Sequence, residues 1–216
     1  MVPALVTHPS GTLFVMAVAT DTTPTGAPTR HRFTVDEWDE LDRLGFFHEE
    51  ARVELIEGEI IDMAPIGDRH AACVDRLTRL AVLRADGLAT VRVQGPVRPS
   101  RYSEPQPDVA LLVLRDDFYA TGKPGPADTL LVVEVADTTL AFDRDRKGPM
   151  YAAAGLPEYW VVDVANEVVL VFTDPGPDGY RTSSTARTGD SLVPRALPQV
   201  TFTVAEVLGT GGPAAH

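Results

Sequence analysis

Residues 129–136 read TLLVVEVA, an apolar run broken only by Thr129 at its start and Glu134 near its end. A stretch this short and this rich in Val and Leu predicts a β-strand covered on both faces. An ionised carboxylate inside such a strand is costly unless it is paired or bound to a metal, so Glu134 demands a partner. Upstream, residues 108–114 read DVALLVL, a second buried strand opened by Asp108 directly after Pro107. A loop punctuated by Gly122, Pro124, Gly125 and Pro126 separates the two. Downstream, the pattern predicts a helix from near Arg144 to Ala154, with Pro149 an awkward guest unless it sits in a first turn or at a kink. Residues 158–164 and 167–173 then read as a hairpin turning at Ala165-Asn166.

Working outward, Thr34 followed by Glu37 has the spacing of a capping box. Val35, Trp38, Leu41 and Leu44 recur at helical intervals after it, and Gly45 ends that helix. Residues 52–63, RVELIEGEIIDM, hold two alternating apolar runs around Glu57-Gly58 and predict a tight hairpin. Asp68 is read as the cap of a helix reaching about Arg84, with Ala72, Leu77, Leu80 and Leu83 on one side. Short strands are expected over residues 88–93 and 97–98, another near 179–183, and a last helix near 204–208. Helix, hairpin, helix, then strands with one crossover helix is a mixed α/β domain. It is expected to span residues 30–208, between a Thr/Pro/Gly-rich flexible segment at 1–29 and a flexible tail at 209–216.

The 216 residues are 44% hydrophobic and 23% charged, enough for one domain with a real core. The net charge of -12 argues against binding nucleic acid through the overall field, while leaving room for a locally basic cleft. A single cysteine, Cys73, removes every internal disulfide and multi-cysteine metal site and reads as core filling in a reducing, cytoplasmic setting. The longest early apolar run, residues 13–19, is far short of a membrane span. No nucleophile elbow, P-loop or dinucleotide glycine fingerprint occurs.

Three residues carry the chemistry. Asp108 and Glu134 are acids where the pattern wants apolar side chains. Lys147 is one of only two lysines among 19 basic residues, the other being Lys123 in the Gly/Pro loop. Two carboxylates on neighbouring strand ends beside a compact ammonium suit a hard cation, Mg²⁺ with Mn²⁺ as substitute. Such a site activates water against a phosphate, and the lysine is expected to orient or deprotonate that water. This is the logic of a phosphodiesterase.

The same residues carry a resemblance. Pro107-Asp108, then Glu134 on an apolar strand, is similar to the PD-(D/E)XK nuclease pattern, and within it to the Uma family of bacterial restriction endonucleases. The resembling segments run in order over residues 33–205. They are 53–63 with Pro65 and His70, then Gln106-Pro107-Asp108-Val109, then 132–135, and last Asp143 through Lys147, Tyr151 and Gly155 to PEYWVVD at 157–163. One departure stands out: the general pattern places the lysine two residues after the glutamate, where this chain has Ala136. The resemblance therefore moves the lysine role to Lys147 on the following helix.

The resemblance implies a restriction-endonuclease-like mixed central sheet flanked by helices, with an N-terminal helix and hairpin. It implies a Mg²⁺-dependent endonuclease acting on DNA, with Asp108, Glu134 and the Val135 carbonyl as metal ligands, Lys147 assisting water, and Glu54 as an early acid near the site. Gln106 and Tyr151 are read as supporting residues. His70 is either a helix N-terminal histidine bonded to a backbone carbonyl or a helper near the phosphate. Arg98, Arg101, Arg144 and Arg146 are candidates for a phosphate-binding rim, against a plain reading as surface arginines. Cutting both strands of a duplex implies a two-fold homodimer. The competing reading is a catalytically silent nuclease fold serving as an assembly or regulatory module, which the net charge favours; an RNA-directed hydrolase would share the site.

Overall fold

The computed structural model describes residues 28–48 and 50–210, with the backbone alone of two further runs. Those runs, β1 (Ala4–Thr7) and β2 (Leu13–Met16), pair antiparallel. The rest of the expected flexible segment up to residue 27, and residues 211–216 of the tail, lie outside the described residues.

Helix α1 (Val35–Arg43) opens on a reciprocal capping box. The Glu37 N–H donates to Thr34 Oγ1, while the Thr34 N–H donates to the Glu37 carboxylate at 2.8 Å. Trp38 is its buried anchor. The hairpin of β3 (Val53–Ile56) and β4 (Glu59–Asp62) turns through Glu57 and Gly58 with φ of +52° and +83°. Both central residues at positive φ are the mark of the tight turn that matches strand twist. Gly58 is held by packing as well, since a Cβ there would lie 2.6 Å from Arg32 Cβ.

Helix α2 (Asp68–Arg84) is capped by Gly67 rather than by Asp68, and Asp68 instead places its charge in the first turn. The central sheet then forms from β5 (Ala89–Val93), β6 (Val109–Val113), β7 (Thr129–Ala136), β8 (Glu158–Asp163), β9 (Val168–Gly176) and β10 (Gly179–Arg187). Their order is the chain order reversed, β10-β9-β8-β7-β6-β5. Only β7 and β8 run parallel; every other neighbour is antiparallel, so the sheet is mixed.

The strand expected at 97–98 does not form. Pro96 and Pro99 flank it and cannot donate to a ladder. Val97 and Arg98 instead donate to the carbonyls of Pro105 and Pro124, lacing two loops together.

Parallel pairing of β7 and β8 requires a crossover, and the segment 140–153 supplies it. It comprises α3 (Leu140–Phe142), a π-turn over Asp143–Lys147, and α4 (Gly148–Ala153), beginning a turn earlier than the periodicity predicts. In the wide turn the Gly148 N–H reaches back five residues to the Asp143 carbonyl. Pro149 follows in the first turn of α4, where its missing donor costs little.

The two faces of the sheet are buried separately. Leu131, Val133 and Val135 of β7 join Val109, Leu111 and Trp160 against Cys73, Val74 and Leu77 of α2. A terminal unit of β11 (Ser191–Leu192), β12 (Phe202–Thr203) and α5 (Val204–Leu208) closes the same face. Val132 and Ala136 join Ala110, Leu112, Tyr159 and Val161 on the other face, beneath Met150 and Tyr151 of α4 and against Ile56 of β3. Glu134 lies between Val132 and Ala136 in the alternation, so it points to this second face.

Candidate active site

The register of β6 against β7 pairs Val109 with Val133. One step further along that antiparallel pair sets Asp108 beside Glu134 at the strand ends. Glu54 arrives from β3 on the side shared by Ile56, and Lys147 and Tyr151 arrive from the crossover. The π-turn places Lys147 with its side chain only 1% exposed, directed at the sheet.

Lys147 Nζ lies 2.9 Å from Glu134 Oε1, and 3.1 Å and 2.9 Å from Oε1 and Oε2 of Glu54. Tyr151 donates its hydroxyl to the same Glu134 Oε1 at 3.1 Å. The Gln106 backbone N–H donates to Glu54 Oε1 at 3.1 Å. Asp108 is held separately: the Val135 N–H donates to Oδ2 at 2.8 Å, while Oδ1 meets His70 Nε2 at 2.9 Å and the Gln94 amide at 3.2 Å. None of the hydrogen bonds or ion pairs described for Asp108 or Glu134 involves an arginine. Lys147, Glu134, Glu54, Gln106, Asp108, Val135 and His70 line a cavity of about 120 Å³ that also takes in Asp143 and Arg52.

The family model described as Uma2, putative restriction endonuclease, matches residues 38–205. The chain belongs to the Uma2 family. Among solved structures it is similar to one described as a putative nuclease from Anabaena variabilis, with a TM-score of 0.64 and 15% identity, over 82% of this chain and 98% of that one. At that identity the likeness speaks to the fold, a mixed sheet flanked by helices. No curated protein matches the chain.

The electrostatics of this Uma2 site follow from burying many acids around one ammonium. Burial pushes Glu134 well above the usual carboxylate range; Lys147 opposes that push, and Asp143, Asp108 and Glu54 add to it. Burial also raises Asp143, against Lys147 and the Thr139 hydroxyl that donates to it at 2.6 Å. Burial works against the Lys147 ammonium, yet Glu134, Glu54 and Asp143 outweigh it and raise the amine above its ordinary value. Lys147 therefore rests as a cation and hydrogen-bond donor. Tyr151 is pushed well up by burial and by Glu134, so it stays a neutral donor. The hydrogen bond to Asp108 raises His70, against burial, and the Val135 carbonyl adds to the rise.

Whether these residues suit a divalent cation is decided by the donor set. Glu54 Oε2 is buried and lacks an aligned hydrogen bond, although Lys147 is close to it. The oxygens on offer are hard ligands, and the surplus of negative charge over Lys147 is what a cation would relieve. Among the described residues no three His, Cys, Asp or Glu side chains are gathered tightly enough for an all-protein cage. Mg²⁺ is commonly held by one or two carboxylates, with water and phosphate oxygens completing its shell. Asp108, Glu134 and the Val135 carbonyl fit that limited role.

The four candidate rim arginines lie elsewhere. Arg98 is bound to Glu104 and to Asp39 at 2.5 Å in a cluster with Lys123. Arg144 pairs with its neighbour Asp145 at 2.7 Å, and Arg101 stacks over Tyr102. Arg146 reaches Glu59 at 2.5 Å beside a separate groove lined by Arg30, Arg32 and Glu57. None of the four lines the cavity that holds Lys147. The sequence assigns no site role to Gln94, Asp143 or Arg52; the last two line this cavity, and Gln94 bonds Asp108 at its edge. No sequence signal marks Gln94; its φ of +47°, a strained backbone for a residue that anchors Asp108, shows only in the fold.

Proposed function

We propose that this protein is a Mg²⁺-dependent endonuclease that hydrolyses phosphodiester bonds of DNA. The observation that supports it most is the buried Lys147 ammonium shared between Glu134 and Glu54, next to an Asp108 carboxylate held by backbone and side-chain donors. In this reading Asp108, Glu134 and the Val135 carbonyl hold Mg²⁺, with Mn²⁺ as a substitute. When bound, the cation lowers the pKa of a neighbouring water and neutralises charge on the phosphate. Lys147 orients the attacking water and stabilises negative charge that develops on the phosphate. Glu54 and Tyr151 set the positions of Lys147 and Glu134, and His70 and Gln94 set that of Asp108. A duplex cut requires two such sites, so a two-fold dimer is the proposed working assembly.

Supercoiled plasmid incubated with Mg²⁺ or Mn²⁺ tests the reading. Wild type should nick or linearise it, and Asp108→Asn, Glu134→Gln and Lys147→Met should each reduce the rate by roughly a hundredfold or more. Cleavage that survives all three substitutions refutes the assignment of these residues. Absence of cleavage together with absence of metal-induced stabilisation would favour the assembly module instead.

A further inference from the structure

The Uma2 cavity opens beside a second hollow of about 170 Å³, and the two share Arg52, Glu54, Met63 and Gln106. They differ sharply in charge. Glu54, Asp108, Glu134, Asp137 and Asp143 all line the first around Lys147, whereas among the described residues Glu54 is the only acid lining the second, where Gln94 joins Arg52 and Gln106. Even Glu54 is buried and drawn toward Lys147. Arg52, Gln94 and Gln106 are exposed to solvent. The Arg52 guanidinium donates through Nη1 to the Ala64 carbonyl, and no carboxylate pairs with it among the described residues. It is also the one arginine among the residues lining the first cavity.

An anion is repelled from a hollow walled by carboxylates unless a cation accompanies it, whereas the second hollow sets a guanidinium with donors to spare against one carboxylate that Lys147 already pairs. The two amides supply further neutral donors and acceptors. Because Gln94 also holds Asp108 at 3.2 Å, the second hollow abuts the first at the acid itself. A polymer that lays one phosphate beside Asp108 and Glu134 therefore has a ready seat for its next phosphate.

We propose that Arg52, with the Gln94 and Gln106 amides, forms a subsite for the phosphate adjacent to the one being cut. The proposal rests on the endonuclease reading above and gives it a substrate class: a strand of at least two phosphates, preferred over a lone diester.

The test compares Arg52→Gln and Arg52→Lys with wild type on two substrates, a short DNA strand and bis(p-nitrophenyl) phosphate, which has no neighbouring phosphate. Thermal melting serves as the control for folding. Arg52→Gln should raise KM for the strand by about ten- to a hundredfold, the loss expected of one charge-assisted contact, with kcat much less affected. The ratio of strand to lone-diester kcat/KM should fall at least tenfold, and Arg52→Lys should recover part of it. In metal-free buffer, the salt dependence of binding a fluorescein-labelled strand should lose about one unit of slope. Equal losses on both substrates, or an unchanged salt slope, overturn the subsite while leaving the endonuclease intact. Failure of wild type to hydrolyse either substrate removes the endonuclease reading, and the subsite falls with it.

Discussion

Replacing Lys147 by Met removes the only cation among the described residues that touches the two buried acids Glu54 and Glu134. Lys147 is 1% exposed and Glu134 and Glu54 are 3% exposed each, so bulk solvent does little to replace the ammonium. Breaking a buried ion pair by deleting one partner typically costs about 3–5 kcal/mol, because a charge is left behind without compensation. For a domain of this size that corresponds to a drop in Tm of roughly 6–20 °C near neutral pH. The loss must depend on pH. Burial already lifts Glu134 well above its ordinary 4.5, and Lys147 is the influence that pulls it down. In Lys147→Met the folded-state value rises further, so the folded protein holds a proton that the unfolded chain gives up. A group raised in this way contributes stability that is present below its unfolded value and is lost as pH rises through its folded value. The variant should therefore come closest to wild type near pH 4.5 and fall behind it steadily toward pH 8. Urea melts across that range at fixed ionic strength measure the difference directly. A deficit below about 1 kcal/mol at pH 8, or one that does not shrink on acidification, would refute this account of the buried cluster.

Two other outcomes follow from the packing. Glu158 is buried on the opposite face of the sheet, accepting from Trp160 Nε1 and the Arg195 N–H at 2.7 Å each. Glu158→Ala should cost about 1–3 kcal/mol by leaving those donors unpaired, with little change in metal binding, as a melt and a Mn²⁺ titration on one preparation would show. Burial pushes the Cys73 thiol up to about 11. It should resist a disulfide reagent at pH 8 in the native protein and react fully in denaturant; fast native labelling would place the thiol outside the core.

The fold was legible wherever apolar pattern and punctuation agreed. The capping box at Thr34 and Glu37, the turn at Glu57-Gly58 and the two apolar central strands are each written in a few adjacent residues. β10 runs on to Arg187, past the strand expected near 179–183, because the residues from Arg181 to Thr185 are exposed and polar, an edge strand with no hydrophobic alternation to announce it. The crossover began a turn earlier than expected because a π-turn does not follow the 3.6-residue period. Within the candidate site, Glu134 drew notice as a charge in an apolar strand, and Lys147 as a rare residue type. Asp143, Gln94 and Arg52 carried no such contrast: each lies at the end of an expected element rather than inside an apolar run, and only the fold brings Asp143 and Arg52 to the cavity and Gln94 to Asp108. The arginines near the site in sequence proved distant in bonding, since short-range acids such as Asp145 and Glu104 had already claimed two of them.

The claim on which the rest depends is that Asp108 and Glu134 grip a divalent cation beside the Lys147 ammonium. Calorimetric titration of the purified protein with Mn²⁺ tests it most directly. The account predicts about one ion bound per chain, with binding lost in Asp108→Asn and in Glu134→Gln while both variants remain folded. Equal Mn²⁺ affinity in wild type and both variants would contradict it.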